Sequence, residues 1–151
     1  MSALDVLQQE HRELIGLFDE LELTTDAVER TRLLAAFALR LKAHADVEEE
    51  VFYPAVRGVG PDDAAAIVDA SLAAHRAADL LLDESMGAEP TEANVKVLRE
   101  VVEKHIHDEE QQVFPLAEQL GAAELARLGL RIERRETELD GTEDDDAALV
   151  R

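Results

Sequence analysis

Two stretches of the chain repeat one arrangement of reactive side chains. His44-Ala45-Asp46-Val47-Glu48-Glu49-Glu50-Val51-Phe52-Tyr53-Pro54 and His105-Ile106-His107-Asp108-Glu109-Glu110-Gln111-Gln112-Val113-Phe114-Pro115 both read H-x3-E-E-x3-(Y/F)-P. A histidine and a glutamate four residues apart on a helix point the same way. Two such pairs facing each other supply two imidazole nitrogens and two carboxylates to one pocket. The chemistry that suits this set is the binding of two metal ions, iron foremost.

The elements that must position these groups are amphipathic helices. A first seam, Leu4, Leu7, His11, Leu14, Phe18, Leu21, carries His11 among apolar residues in steps of three and four. A second, Leu34, Phe37, Leu41, His44, Glu48, Val51, Ala55, holds both polar groups of the first motif. A third runs Ala65, Val68, Leu72, His75, Asp79, Leu82, Met86, and a fourth Val95, Leu98, Val102, His105, Glu109, Gln112, Leu116. Four of the five histidines thus occupy core seams, one per helix. At ~1.5 Å rise per residue they lie roughly 20–28 Å from the intervening turns, close to a common level. A single core histidine is ordinarily a packed, hydrogen-bonded side chain. Ionised glutamates in an apolar seam are costly unless paired or coordinated, and two facing each other would repel. Bound cations remove that cost, which favours a metal site over a polar structural network. His107 lies two residues from His105 and faces away. By the same geometry Glu49, Glu50, Asp108 and Glu110 are solvated or support the histidines from behind.

Punctuation divides the seams. Ser2 is an N-cap with Asp5 at the third position, and Asp26 caps the second helix with Glu29 three residues on. Gly58-Val59-Gly60-Pro61 separates the second and third helices, with Pro61 suited to a first helical turn, and Gly87 with Pro90 separates the third and fourth. Gly121 closes the fourth. Pro54 and Pro115 fall late in helices two and four, where a kink or a helix end is expected. Short connections make neighbouring helices antiparallel. The expected fold is all-α: an up-down-up-down antiparallel four-helix bundle over residues 1–120, an appended amphipathic C-terminal helix over 121–139 weakened by Gly129, and a polar acidic tail over 140–151. The two halves read as a repeat, His11-Arg12 with the His44 motif and His75-Arg76 with the His105 motif.

Composition narrows the function classes. The chain has 151 residues, 46% hydrophobic but only 3% aromatic, so Leu, Ala and Val fill the core. It has no cysteine, which excludes disulfides, thiolate metal sites and a cysteine nucleophile. A net charge of −20 opposes binding to nucleic acid or anionic membranes. No apolar stretch approaches the ~20 residues that span a bilayer, and a cytoplasmic location is expected.

The donors are imidazole and carboxylate without sulfur, and there are more than a lone zinc takes. Carboxylates able to bridge, with one or two histidines per ion, suit a di-iron or di-manganese centre, iron the more so. With these residues the chain resembles the bacterial hemerythrin-like proteins of the HHE cation-binding family. The resemblance rests on His11, His44 with Glu48, His75, and His105 with Glu109, plus the Glu-Glu and Tyr/Phe-Pro sequels, and covers roughly residues 1–120. It implies a four-helix bundle around a non-haem di-iron centre. One iron would take His11 and His44, the other His75 and His105, with Glu48 and Glu109 bridging and an oxo or hydroxo group between the ions. Oxygen-carrying members place a further histidine where this chain has Asp79. Asp79 is therefore a candidate iron ligand, an acceptor for a histidine N–H, or a surface side chain; as a ligand its charge would favour the ferric state. The resemblance implies a protein that binds and reacts with O2 or peroxide, with catalase-like or peroxidase-type chemistry as the sharpest version. Tyr53 follows the first motif and is a candidate catalytic proton donor if its phenol turns inward, or else a helix-end aromatic. Reversible binding or sensing of O2 or NO, and iron buffering without catalysis, are the alternatives.

Overall fold

The computed structural model describes residues 1–60, 63–87 and 89–149, with the backbone alone described for 141–149. Pro61, expected in a first helical turn, lies outside the described residues. Helix α1 spans Ala3–Leu23, α2 Ala27–Val47, α3 Tyr53–Arg57, α4 Asp63–Met86, α5 Glu92–Asp108, α6 Phe114–Glu118 and α7 Ala122–Leu149. Between α2 and α3, and again between α5 and α6, the chain stays helical through a wide π turn, Glu48–Phe52 and Glu109–Val113. α2–α3 and α5–α6 are therefore two continuous rods, each widened once.

The caps follow the expected chemistry. The Ser2 hydroxyl accepts from the Asp5 N–H while the Asp5 carboxylate accepts from the Ser2 N–H, a full capping box. The Asp26 side chain accepts from the Glu29 N–H. Thr91 and Asn94 form a second reciprocal cap, at the start of α5. Gly121, at φ +89°, makes the left-handed turn into α7.

Packing arranges the rods antiparallel around two apolar clusters. The start of α1 (Ala3, Val6, Leu7) meets Val51, Phe52 and Val56 from the far end of the α2–α3 rod, together with Val68, Val113 and Ala117. The end of α1 (Leu14, Phe18, Leu21) meets the starts of α2 and α5 and the end of α4, through Leu34, Phe37, Val95, Leu98 and Leu82. α1, α4 and the two rods thus each contribute one end to each cluster, which is the up-down-up-down arrangement. α7 packs on α1 and α2 and adds Leu125, Leu128 and Ile132 to the first cluster. Gly129 has a use there, because a Cβ on it would lie 2.4 Å from the Met1 carbonyl oxygen and 3.0 Å from the Ala3 nitrogen. The helix does not stop near 139, as the acidic composition suggested, but continues to Leu149. No described helix is long and apolar enough to cross a membrane.

Three seams depart from the expected register, for two different reasons. In α4 the buried positions are Ala64, Val68, Ser71, His75, Ala78, Leu82 and Ser85. Seams step by three or four, and both choices leave His75 in place. The structure turns the small residues Ser71, Ala78 and Ser85 inward and leaves Asp79 outside. In the other two cases the seam slips by one after a glutamate: Val56 is buried in place of Ala55, and Val113 in place of Gln112. A π turn takes up one extra residue, so position i+5 rather than i+4 returns above position i.

Candidate metal centre

The polar layer lies between the two apolar clusters, and each of its six members comes from a predictable place on its rod. His11 is on α1, His44 on α2, His75 on α4 and His105 on α5. Glu48 and Glu109 open the two π turns. All six are buried, with Glu48 and Glu109 at 0% exposure. They form two groups whose ligand atoms all lie within 4.8 Å of one another: His11, His44, Glu48 and Glu109, and Glu48, His75, His105 and Glu109. Both glutamates belong to both groups.

The Nε2 atoms of all four histidines face the carboxylates. His11 Nε2 is 3.4 Å from Glu109 Oε1 and His44 Nε2 is 3.0 Å from Glu48 Oε1. His75 Nε2 is 3.2 Å from Glu48 Oε1, and His105 Nε2 is 3.3 Å from Glu109 Oε2. The imidazole rings meet edge to face within each pair, at 4.8 Å for His11–His44 and 4.6 Å for His75–His105.

Pro54 and Pro115 explain the wide turns. Each lacks an N–H and would crowd the carbonyl four residues earlier in an α-helix. The turn widens instead, so that the Tyr53 N–H reaches the Glu48 carbonyl and the Phe114 N–H the Glu109 carbonyl. The extra residue brings Tyr53 onto the face of Glu48, and Phe114 onto the face of Glu109. Tyr53 is 2% exposed and its hydroxyl donates to Glu109 Oε2 at 2.5 Å, 3.2 Å from His75 Nε2. Phe114, its counterpart in the repeat, lies nearly parallel to the His11 ring with centroids 6.0 Å apart. The expected kink or helix end at each proline is thus a π turn that aims an aromatic ring at the polar layer.

Electrostatics single out the same atoms. Burial, then the facing charge of Glu109, pushes Glu48 up to about 7. Burial also opposes the charge of Glu109, but its contacts to Glu48, His105 and His11 outweigh that and hold it well below the usual carboxylate range. Burial works against a charged His44, yet Glu48 and Glu10 raise it well above an ordinary histidine. Burial lowers His75, and burial followed by the charges of Glu48 and Glu109 raises the Tyr53 phenol far above its ordinary value. Buried polar atoms without a hydrogen-bond partner gather here: both ring nitrogens of His11, His44 Nε2, both Glu48 oxygens, His75 Nδ1 and Glu109 Oε1. A buried carboxylate without a donor is expensive. Lone pairs from nitrogen and oxygen converging on two centres are what a pair of cations satisfies, so the residues present fit metal ions.

Asp79 takes no part in either group. It is exposed, one turn along α4 from His75, and its charge bears only weakly on His75 and Lys42. Of the three readings of Asp79, the surface side chain is the one this arrangement matches, and the ferric-favouring charge it would have supplied as a ligand is not at the centre. His107 is exposed. Glu49 and Glu110 stand 3.8 Å behind the Nδ1 atoms of His75 and His11, and Glu50 pairs with Arg135. Two residues escaped the sequence reading. Glu10 Oε1 sits 2.8 Å from His44 Nδ1, and Glu136 on α7 is within hydrogen-bonding reach of Glu10. Glu136 had a signal: it continues the apolar seam Leu125, Leu128, Ile132, as Glu48 and Glu109 continue theirs.

Fold and site together define a helical-bundle protein with a buried histidine–carboxylate centre suited to cations. The family model of the hemerythrin HHE cation binding domain matches residues 2–117, and the chain belongs to that family. A solved hemerythrin HHE cation binding domain-containing protein from Mycobacterium kansasii superimposes with a TM-score of 0.79 over 94% of this chain and 89% of that one, at 23% identity, which establishes the common fold. A DNA nickase from Nostoc sp. is 30% identical over 115 residues, 76% of this chain and 33% of that protein, so this chain spans about a third of its length.

Proposed function

We propose that His11 and His44 hold one iron ion, His75 and His105 a second, and that Glu48 and Glu109 bridge them in a protein that reacts with O2 or peroxide. The observation that carries this reading is the sharing of both glutamates by the two four-residue groups. Two iron ions held by these residues would supply two-electron redox chemistry toward a small oxidant. Manganese would satisfy the same donors less characteristically.

The chain's own residues supply the rest. The Tyr53 hydroxyl holds a proton at Glu109 Oε2, next to His75 Nε2. Phe52, Val113 and Phe114 close the layer on the side of the first cluster and exclude water. A groove of about 370 Å³ lined by Glu49, Tyr53, Pro54, Arg57, Val68 and Leu72 leads from the surface to the Tyr53 side. The two halves are therefore unequal in their aromatic residues, with a phenol on the His75–His105 side and a phenyl ring against His11, while a second groove of about 390 Å³ lined by His11, Ile15, Ile106 and Glu110 approaches the other half. That inequality favours reaction of a small oxidant over simple storage of iron.

The activity in the Nostoc relative's name is not proposed for this chain, whose net charge of −20 opposes a phosphate backbone. The test is oxygen release from hydrogen peroxide by the iron-loaded protein. Turnover in wild type, its loss in His44→Ala and Glu109→Ala, and a fall of about 10²-fold or more in Tyr53→Phe with iron content intact are the expected results. Equal turnover in wild type and Glu109→Ala would overturn the proposal.

A further inference from the structure

The internal repeat makes a comparison available. His11 and His75 correspond, and so do the residues that precede them, Glu10 and Ala74. Glu10 reaches across to α2 and places Oε1 2.8 Å from His44 Nδ1. Ala74 has no carboxylate to offer the other half. Glu10 is itself largely withdrawn from water, at 12% exposure, and its second oxygen, Oε2, makes no ordinary hydrogen bond. The group beside it is Glu136 of α7, whose Oε1 is likewise buried and without an ordinary partner. Leu14, Arg40, Ala43, His44 and the Asp140 side of α7 complete the small cavity around the two carboxyl groups.

Two carboxyl groups that share a buried space settle by sharing a proton between them. Glu10 already faces the His44 ring N–H with Oε1 at 2.8 Å, so Glu10 is the acceptor and Glu136 the partner that carries the proton. Glu136 then donates to Glu10, and Glu10 is left to accept from His44 Nδ1–H. A ring proton held at Nδ1 leaves the Nε2 lone pair pointing at Glu48 and the centre. Two further contacts set α7 in register for this. The backbone of Met1–Ala3 lies against Gly129, and Arg135 Nε donates to Glu50 Oε2 at 2.6 Å.

We propose that Glu136, together with Glu10, is a positioning residue for the His11–His44 half of the centre, so that α7, which lies beyond the family-matched residues 2–117, is a working part of the metal site. The consequence is an unequal pair. The half backed by Glu10 and Glu136 depends on α7 for its affinity, and the His75–His105 half does not. The inference rests on the two-ion reading above.

The experiment is a titration of the metal-stripped full-length protein with Co(II), followed by its visible spectrum. Wild type is expected to take up two Co(II) per chain. In Glu136→Leu one binding step weakens by about tenfold or more and its spectral component shifts, while the other step is unchanged. Glu136→Gln, whose amide can still donate to Glu10, restores the wild-type isotherm. An independent measurement on wild type is the His44 Nδ1 proton of the Zn(II)-loaded protein, expected in slow exchange by ¹H–¹⁵N NMR. A Glu136→Leu isotherm identical to wild type, an equal weakening of both steps, or a freely exchanging His44 Nδ1 proton would each overturn the proposal. A wild-type protein that takes up fewer than two Co(II) would instead overturn the two-ion reading, and the proposal with it.

Discussion

Replacing Glu48 by glutamine should make the metal-stripped protein more stable and the metal-bound protein less so. Glu48 is wholly buried, faces Glu109, and has no hydrogen bond to either oxygen. Its folded pKa stands at about 7 against 4.5 in the unfolded chain. The folded state therefore holds the Glu48 proton more tightly than the unfolded state does. Stability from this group is intact below pH 4.5, declines as pH rises from 4.5 to about 7, and is fully lost above that. At ~1.36 kcal/mol per pH unit the cost at pH 8 is about 3 kcal/mol. Glu48→Gln keeps the shape and removes the charge. Thermal unfolding of chelator-treated protein at pH 8 should show the variant melting roughly 6–12 °C above wild type, from about 2–4 °C per kcal/mol for a chain of this size. The gap should close as the pH falls to 4.5. Saturating metal reverses the order, since an ion at a hundred times its Kd adds ~2.7 kcal/mol to wild type and the variant has lost a bridging ligand. A variant less stable than metal-stripped wild type at pH 8, or a gap independent of pH, would refute the reasoning.

Gly129→Ala should destabilise by about 1–3 kcal/mol, because the new Cβ meets backbone atoms of Met1 and Ala3 and helix α1 or α7 must move. Gly16→Ala, with nothing within 4 Å of its Cβ, should stabilise by up to ~1 kcal/mol, both glycine variants being read by denaturant titration. Ser2→Ala breaks the capping box of α1 and should cost about 1 kcal/mol by the same measurement. Asp79→Asn should leave the number of metal ions bound per chain unchanged, because its side chain lies on the outer face of α4; metal analysis after dialysis checks it.

Much of this molecule is determined by the sequence alone, because helices obey a local rule. Steps of three and four placed His11, His44, His75 and His105 in core seams, and each is buried. The i,i+4 rule paired His44 with Glu48 and His105 with Glu109, and the short turns at Thr24–Asp26 and Gly87–Pro90 required antiparallel neighbours. Where two local choices cost the same, the tertiary structure decided. A seam through α4 could include Asp79 or Ala78, since four and three residues are both near one turn. The space available between the rods admitted the small Ala78 and turned the charged residue outward. Pro54 and Pro115 announced a disturbance, but a kink, a helix end and a π turn all relieve a missing N–H. Packing selected the π turn, which carried Tyr53 to Glu109 and Phe114 to His11. Glu10 and Glu136 lie 126 positions apart, and no helical periodicity connects them. Only the docking of α7 against α1, fixed in part by the bare backbone of Gly129, brings their carboxyl groups together behind His44.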